Sequence, residues 1–358
     1  MEYRAEELND SNASDWDHLN NTATDGGFCQ GLKWKRVLER TFGYSPCYFL
    51  IYRDRKPVAL CPFYKAKIKW FSGLITLPNS IYDHVIVSDK QDPRITRSMH
   101  DRIRELLRKE RLSFATIGLT AEMKDYFLGL PVSTPYSTGG NHVLNLQGNS
   151  IDNIWNSLFA KHQRQKIRRF DKDGFTADKV DSTEDLDIFF RYYAKNMDRK
   201  NFDRKLPGEK PYPPECKFER EIIRSYKDEV VVVMLRRKDE IAGGAFFLLF
   251  RPGRKMYFRV FWPNRDLPNA YSSWWYLSWF GVKLAYDLGF SSLCFGDTPD
   301  NPNNVNYVNK AKFGAQFQRR YGAIFSEDGI FNLAYKGLRF AQQHKLVSHI
   351  SRSGHPGD

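Results

Sequence analysis

The sequence predicts a mixed α/β protein made of two homologous halves, and three observations carry that prediction. Two hairpins share one order of parts. Tyr48-Phe49-Leu50-Ile51-Tyr52, a charged turn at Arg53 to Lys56 and Pro57-Val58-Ala59-Leu60 read as two apolar strands joined by a tight polar reversal. Val230 to Leu235, a charged turn at Arg236 to Glu240 and Ile241 to Phe246 repeat it. Each hairpin is then followed by a helix and a short apolar strand ending in glycine: Ile95 to Arg111 with Phe114 to Gly118, and Ser272 to Leu288 with Leu293 to Gly296. Finally, 358 residues are enough for two domains, each with its own core. A repeat this long means two half-molecules rather than a solenoid. Two halves leave a cleft, where ligands usually bind.

The elements follow in order. Asp15 to Asn21 and Gly26-Gly27 form a loop entering a helix at Gln30 to Thr41. Trp34, Val37, Leu38 and Phe42 make its apolar stripe, and Gly43 ends it. Strands run through Phe49, Val58 to Phe63, Leu74 to Leu77 and Val85 to Val87, with turn residues between them. The basic, amphipathic helix 95–111 and strand 114–118 close the half. Strand His142 to Leu146 and then Gly148-Asn149-Ser150 mark a seam, which divides the chain into 1–147, 148–345 and a polar, Gly-rich tail, 346–358, expected to be disordered. A helix at 151–170 opens the second half. Glu184 to Asn196 and Lys217 to Tyr226 are further helices, and the Lys-, Pro- and Gly-rich segment Arg199 to Pro214 between them reads as a lid. Helix 272–288 carries a stripe of Trp274, Leu277, Gly281, Leu284 and Leu288, in which Gly281 marks close packing.

Composition narrows the function. The chain is 41% hydrophobic and 15% aromatic, its mean hydropathy is −0.57, and no apolar run is long enough for stable membrane insertion. Its acidic, polar N-terminus, Met1 to Glu7, lacks the basic-then-apolar order of a secretory signal, so a cytoplasmic location is expected. Five widely spaced cysteines without a C-x-x-C pair read as reduced thiols, and His344 and His349, five apart, lack the spacing of metal ligands, so no metal site is expected. A net charge of +13 and a pI near 9.4 point to an anionic partner. The charge is clustered. Lys161, Arg164, Lys166, Arg168, Arg169 and Lys172 crowd one segment, with Lys161, Arg164 and Arg168 on one helical face. Lys310, Lys312, Arg319 and Arg320 form a second cluster, with no Asp or Glu from Asn301 to Ser326. Two clusters in one half favour a phosphate-bearing ligand.

The wording of the two halves resembles the Fem-type aminoacyltransferases and their relatives, a family built from two GCN5-related N-acetyltransferase (GNAT) folds in tandem. In the first half the matching text is Phe28, Trp34, Phe42-Gly43-Tyr44-Ser45-Pro46 and the hairpin with Leu60-Cys61-Pro62-Phe63. In the second it is Trp155, Leu158, Lys166-Ile167-Arg168-Arg169 before Gly174-Phe175, Ala242-Gly243-Gly244, and Cys294-Phe295-Gly296-Asp297 leading to Asn309-Lys310-Ala311-Lys312-Phe313-Gly314. The resemblance implies two tandem GNAT-like domains with a cleft between them, and transfer of an activated acyl or aminoacyl group to an amine acceptor. It implies no tightly bound cofactor. The donor would be an aminoacyl-tRNA, as in Fem-type members, or an acyl-thioester of CoA or acyl carrier protein, and each is a polyanion.

The resemblance also implies a site. The family's F-K-x-x-F-G element places a phosphate-contacting lysine at Lys310, with Asn309 standing where the family has Phe. Lys312, Arg164, Arg168 and Arg169 complete the expected donor contacts. Asp297, after a strand at the expected cleft, is the candidate base, and Tyr307 a candidate proton donor to a carbonyl or leaving group. The R-x-x-G-x-G/A loop that grips the pyrophosphate of free acetyl-CoA is missing: Arg319 to Ile324 has the Arg and first Gly but ends in Ile324. Two other readings compete. One is a non-catalytic RNA- or nucleic-acid-binding protein whose basic groups spread over a convex face. The other is a peripheral contact with a membrane surface through the basic C-terminal tail.

Overall fold

Runs of β-branched and aromatic residues pair into a single mixed sheet that crosses the whole molecule. The computed structural model describes residues 2–123, 133–198, 209–267 and 272–337. The first half comprises β1 (Tyr3–Glu7), α1 (Ala13–Thr22), α2 (Leu32–Phe42), β2 (Ser45–Arg53), β3 (Lys56–Ile68), β4 (Phe71–Thr76), β5 (Ile86–Val87), α3 (Pro93–Lys109), β6 (Phe114–Leu119) and β7 (Ser133–Asn145). The second comprises α4 (Lys161–Lys172), β8 (Thr176–Lys179), α5 (Thr183–Asp198), α6 (Lys217–Tyr226), β9 (Val230–Arg237), β10 (Glu240–Phe250), β11 (Lys255–Pro263), α7 (Ser273–Asp287), β12 (Ser292–Thr298), α8 (Val305–Ala311) and β13 (Gln316–Phe325). Both expected hairpins form, as β2–β3 and β9–β10, each antiparallel.

The strand order is β1-β2-β3-β4-β6-β13-β7-β12-β11-β10-β9-β8, with β5 added to β3. Read from its two ends, the order is symmetric. Its centre is an exchange: β13 of the second half lies between β6 and β7, and β7 of the first half lies between β13 and β12. Neither half completes its own sheet.

Three hydrophobic clusters hold the layers together. One packs α3 on the first half, through Ile95, Met99, Ile103 and Leu107, and it also takes in Ala323 and Phe325 of β13. Another packs α4 and α7 on the second half, and it takes in Leu144 of β7. The third joins the halves directly, since α1 and α2 share it with α5 and α6. There Phe218 meets Trp34 edge to face at 5.5 Å and Phe42 at 4.9 Å. Burying an aromatic ring is worth about 2–3 kcal/mol, so these contacts help to hold the halves together.

The structure corrects two readings and bears on the described end of a third. The single helix expected at 151–170 is broken. Short helical turns at Ile151–Asn153 and Ile154–Leu158 end where Ala160 turns extended, with ψ 145, and α4 starts afresh. Arg164 closes that break by donating from Nη1 to the carbonyls of Trp155, Asn156 and Phe159 at 3.0, 2.8 and 2.7 Å. The buried stripe of α7 is rotated from the expected one. It runs through Trp275, Leu277, Ser278, Gly281, Val282 and Ala285, whereas Leu288 lies exposed. The described end of the expected lid is tied down, since Lys210 Nζ donates to the carbonyls of Phe42 and Gly43, and Asn79 N donates to Glu209. Residues 199–208 of that segment and the tail 346–358 lie outside the described residues. No helix of the described residues is long and apolar enough to cross a membrane.

Gly281 tests the packing of α7. A Cβ there would sit 2.5 Å from Cε1 of Phe247, which is itself wedged against Phe258 at 4.8 Å. Ala is favoured over Gly in a helix by about 1 kcal/mol, but overpacking costs about 1–3 kcal/mol, and this ring has nowhere to go. Gly281→Ala is therefore expected to lower the unfolding free energy in denaturant titrations. A stabilised variant would contradict the packing.

Candidate active site

Each half contains one parallel strand pair, and both pairs separate after three residues. In the first half the ladder runs from Gly73↔Phe114 to Ile75↔Thr116. The gap beyond it is filled by main chain: His84 bridges Gly118, and Val85 N donates to the Gly118 carbonyl at 3.1 Å. A Cβ on Gly118 would lie 1.9 Å from the Asp83 carbonyl oxygen, so only glycine admits that segment. In the second half the ladder runs from Lys255↔Ser292 to Tyr257↔Cys294, although β11 continues to Pro263 and β12 to Thr298. Among the described residues no strand fills this second gap. Instead a cavity of about 500 Å³ opens there.

The cavity has an aromatic body and a basic mouth. Phe258 and Phe261 of β11, Phe295 of β12, and Trp274 and Trp275 at the start of α7 make its wall. Trp274 stacks on Phe258 at 4.8 Å, and Phe313 fixes Phe295 and Trp275 at 5.0 Å each. His162 and Lys166, four apart on α4, and Lys312 surround the opening. Lys166 lies over the Trp275 ring at 5.5 Å. Burial, with Lys312 and Lys166 close by, holds His162 below its usual value. A larger cavity of about 730 Å³ lies between the halves, lined by Asp25, His84, Asn141, Tyr257, Cys294 and Arg320 among others. Tyr257 and Phe258 are consecutive on β11, as are Cys294 and Phe295 on β12. Successive side chains of a strand take opposite faces, so the two cavities approach the splayed strands from opposite sides of the sheet.

A buried cation sits at the floor of the smaller cavity. Lys310, 9% exposed, donates from Nζ to the carbonyls of Gly296 (3.1 Å) and Asp297 (2.7 Å) and to Thr298 Oγ1 (3.1 Å). These three acceptors use all three protons of the ammonium. They also pin the bulge where β12 loses register with β7 between Cys294 and Asp297, a turn that needs Gly296 at φ 78. Behind them His142 Nδ1 lies 3.2 Å from Thr298 Oγ1, and its Nε2 is buried without a hydrogen-bond partner among the described residues. Thr298 Oγ1 thus joins the Lys310 ammonium to the His142 ring. Burial and the nearby Lys310 charge push His142 down to about 4.

The expected site residues fall into two groups. Lys310 and Lys312 line the smaller cavity, whereas Arg164, Arg168 and Arg169 do not. Arg164 is spent on the break before α4. Arg168 lies over Trp155 at 5.7 Å, and the exposed Arg169 pairs with Asp173 at 3.7 Å. The face Lys161-Arg164-Arg168 is thus not the one that α4 turns to the cavity. Lys310 also departs from the expected phosphate contact, since its protons are committed to the chain. Asp297 is exposed and held at 2.5 Å by Nη2 of Arg320, which lines the larger cavity, while its own carboxylate lines neither cavity. Tyr307 packs edge-on against His142 at 4.6 Å and beside Phe317 at 4.9 Å, outside both linings. Thr298 and Trp275 escaped the sequence analysis, while Trp274 read as part of a packing stripe and His142 as part of a strand rather than as site residues. For Thr298 and the tryptophans the signal was position, two residues past Gly296 and at a helix start.

Solved structures carry the same fold. FemX covers 93% of this chain and 99% of its own with a TM-score of 0.70 at 12% identity. L-PGS from Bacillus licheniformis covers 83% and 92%, with a TM-score of 0.55 at 12% identity. A tandem GNAT protein from the clavulanic acid biosynthesis pathway covers 91% and 98%, with a TM-score of 0.55 at 10% identity. No protein-family model and no curated protein matches the sequence. The chain therefore has the tandem GNAT fold, the fold that the resemblance of its wording to Fem-type proteins implied.

Lys310 gives this site a pH signature. Burial pushes its ammonium down to about 8, against about 10.4 for a free lysine. Between those values the unfolded chain holds a proton that the folded chain has released. Stability therefore rises with pH through that window, by up to ~1.4 kcal/mol per pH unit from this group. The unfolding free energy of the wild type relative to Lys310→Met should grow between about pH 8 and about pH 10. A difference that stays constant would contradict a lysine buried at the expense of its charge.

Proposed function

We propose that the chain is an N-acyltransferase that binds a phosphate-bearing acyl donor in the smaller cavity and passes the acyl group to an amine acceptor reaching it from the cavity between the halves. The donor is an aminoacyl-tRNA or an acyl-thioester of CoA or acyl carrier protein. One observation carries the reading: the strand gap is open in the second half and filled by residues around His84 in the first. A splayed parallel pair leaves backbone groups without strand partners, and N–H groups so placed meet the oxyanion that forms when an amine adds to a carbonyl.

The rest of the wall fits such a reaction. Aromatic rings at Phe258, Trp274 and Phe295 exclude water from the reacting carbonyl, while Lys166 and Lys312 attract phosphates at the opening. The amine nitrogen attacks the acyl carbon, the bond from that carbon to the donor oxygen or sulfur breaks, and the amine proton leaves with the departing group. In the larger cavity the carboxylate oxygens of Asp25 and Oδ1 of Asn141 are buried and accept no hydrogen bond among the described residues, although Lys90 Nζ lies 3.5 Å from Asp25. Oxygens of that kind suit an ammonium. Convergence of Lys166 and Lys312 on a concave opening also supports transfer over plain nucleic-acid binding.

Binding of labelled aminoacyl-tRNA and of acyl-CoA, measured over a range of salt, tests the donor site. Lys166→Ala with Lys312→Ala should weaken the true donor and flatten its salt dependence, by about one unit of slope for each phosphate no longer neutralised. Arg168→Ala with Arg169→Ala, on the other face of α4, should change neither. The reverse pattern would move the donor out of the cavity.

A further inference from the structure

The cavities do not use a third feature, an apolar and basic face at the tip of the β3–β4 hairpin. Ile68 pairs with Phe71 across a two-residue turn, Lys69-Trp70, in which Lys69 has φ 55. So tight a turn holds Trp70 out, 89% exposed, with Lys69 Nζ 5.9 Å from its ring. Soluble proteins seldom display an indole so fully. Beside the hairpin a helix at 329–337, started by Asp328 Oδ1 accepting from the N–H groups of Ile330 and Phe331, anchors itself inward through Phe331. Phe331 meets Phe71 at 5.2 Å and Phe114 at 4.7 Å. Its outward side carries Ile330 and Leu333, three residues apart and 75% and 76% exposed.

The free charges on this face are lysines, because the acidic groups at its border are already engaged: Glu110 pairs with Lys65, Glu327 with Arg104 and Arg108, and Asp328 is spent on the helix N-terminus. Lys67 and Lys69 on the hairpin and Lys336 on the helix are exposed. The sequence has no Asp or Glu between Arg55 and Tyr82, nor between Gly329 and Gly357. An exposed Trp, aliphatic side chains on an adjoining helix and unopposed lysines are what an interfacial membrane contact requires. The indole sits at headgroup level, the aliphatic groups enter the acyl boundary, and the lysines meet anionic headgroups. Nucleic acid would satisfy the lysines and the indole but would leave Ile330 and Leu333 without a use.

We propose that the β3–β4 tip and the 329–337 helix dock this protein on the surface of an anionic lipid bilayer. The contact is peripheral and independent of the transfer reaction.

Cosedimentation of the full chain with phosphatidylcholine vesicles, with and without phosphatidylglycerol, tests it. The wild type should bind only the anionic vesicles and release at high salt. Trp70→Ala, and separately Lys67→Glu with Lys69→Glu, should each lower partitioning about tenfold while circular dichroism stays unchanged. Brominated lipid should quench fluorescence of the wild type and not of Trp70→Phe. Equal binding to both vesicle types, wild-type binding by Trp70→Ala, displacement from vesicles by a short RNA, or an oligomer that Trp70→Ala dissolves would each overturn the assignment.

Discussion

The antiparallel pairing of β7 with β13 runs from Gln316↔Val143 to Phe325↔Ser133 at the centre of the sheet, and it joins strands that begin in different halves. Each half builds its hairpin, its crossover helix and its parallel pair from local sequence, and then surrenders its last strand to the other. Asn141 and His142 therefore stand against β12 although they belong to the first half. The Lys310 cluster draws on both halves in consequence: Thr298 and Lys310 come from one, His142 from the other. A chain cut at the seam would lose the strand that backs β12, and with it the burial that depresses Lys310.

The exchange also shapes what the cavities can do. Because β7 and β13 occupy the centre, the larger cavity forms over them, and the smaller one forms where β11 leaves β12. The two halves differ at the strand gap. The first closes its strand gap with backbone that only Gly118 can accommodate, while the second leaves the gap open and lines it with rings. The two halves thus offer two equivalent gaps, of which the first is sterically filled and the second is open.

Much of the fold was legible in the sequence, because hairpins, caps and helical stripes are local. Tyr48 to Leu60 and Val230 to Phe246 announce two hairpins, and Gly43 ends α2 in the left-handed conformation at φ 62. Partner choice was not legible. In the region of β7 only His142 to Leu146 reads as a strand, and β13 reads as a basic stretch with an incomplete pyrophosphate loop, so the exchange left no trace. Burial of a charge was equally hidden. Lys310 reads as a phosphate-contacting cation in a basic stretch, and only the carbonyls of Gly296 and Asp297 make it an internal strut. A helical wheel places Lys161, Arg164 and Arg168 together, but it cannot tell that His162 and Lys166 are the pair facing the cavity. In α7 small residues decided the packing, since Ser278 and Gly281 are buried and a stripe drawn through large apolar residues misses Ser278.

Hydrogen exchange read by mass spectrometry, with and without saturating donor, addresses the open second gap most directly. Peptides covering 256–263, 272–278 and 303–313 should gain protection, while those covering 80–87 and 114–119 keep the exchange rates of the free protein. Protection concentrated on the 80–87 segment, or its loosening as donor binds there, would place the donor in the first half and contradict the account.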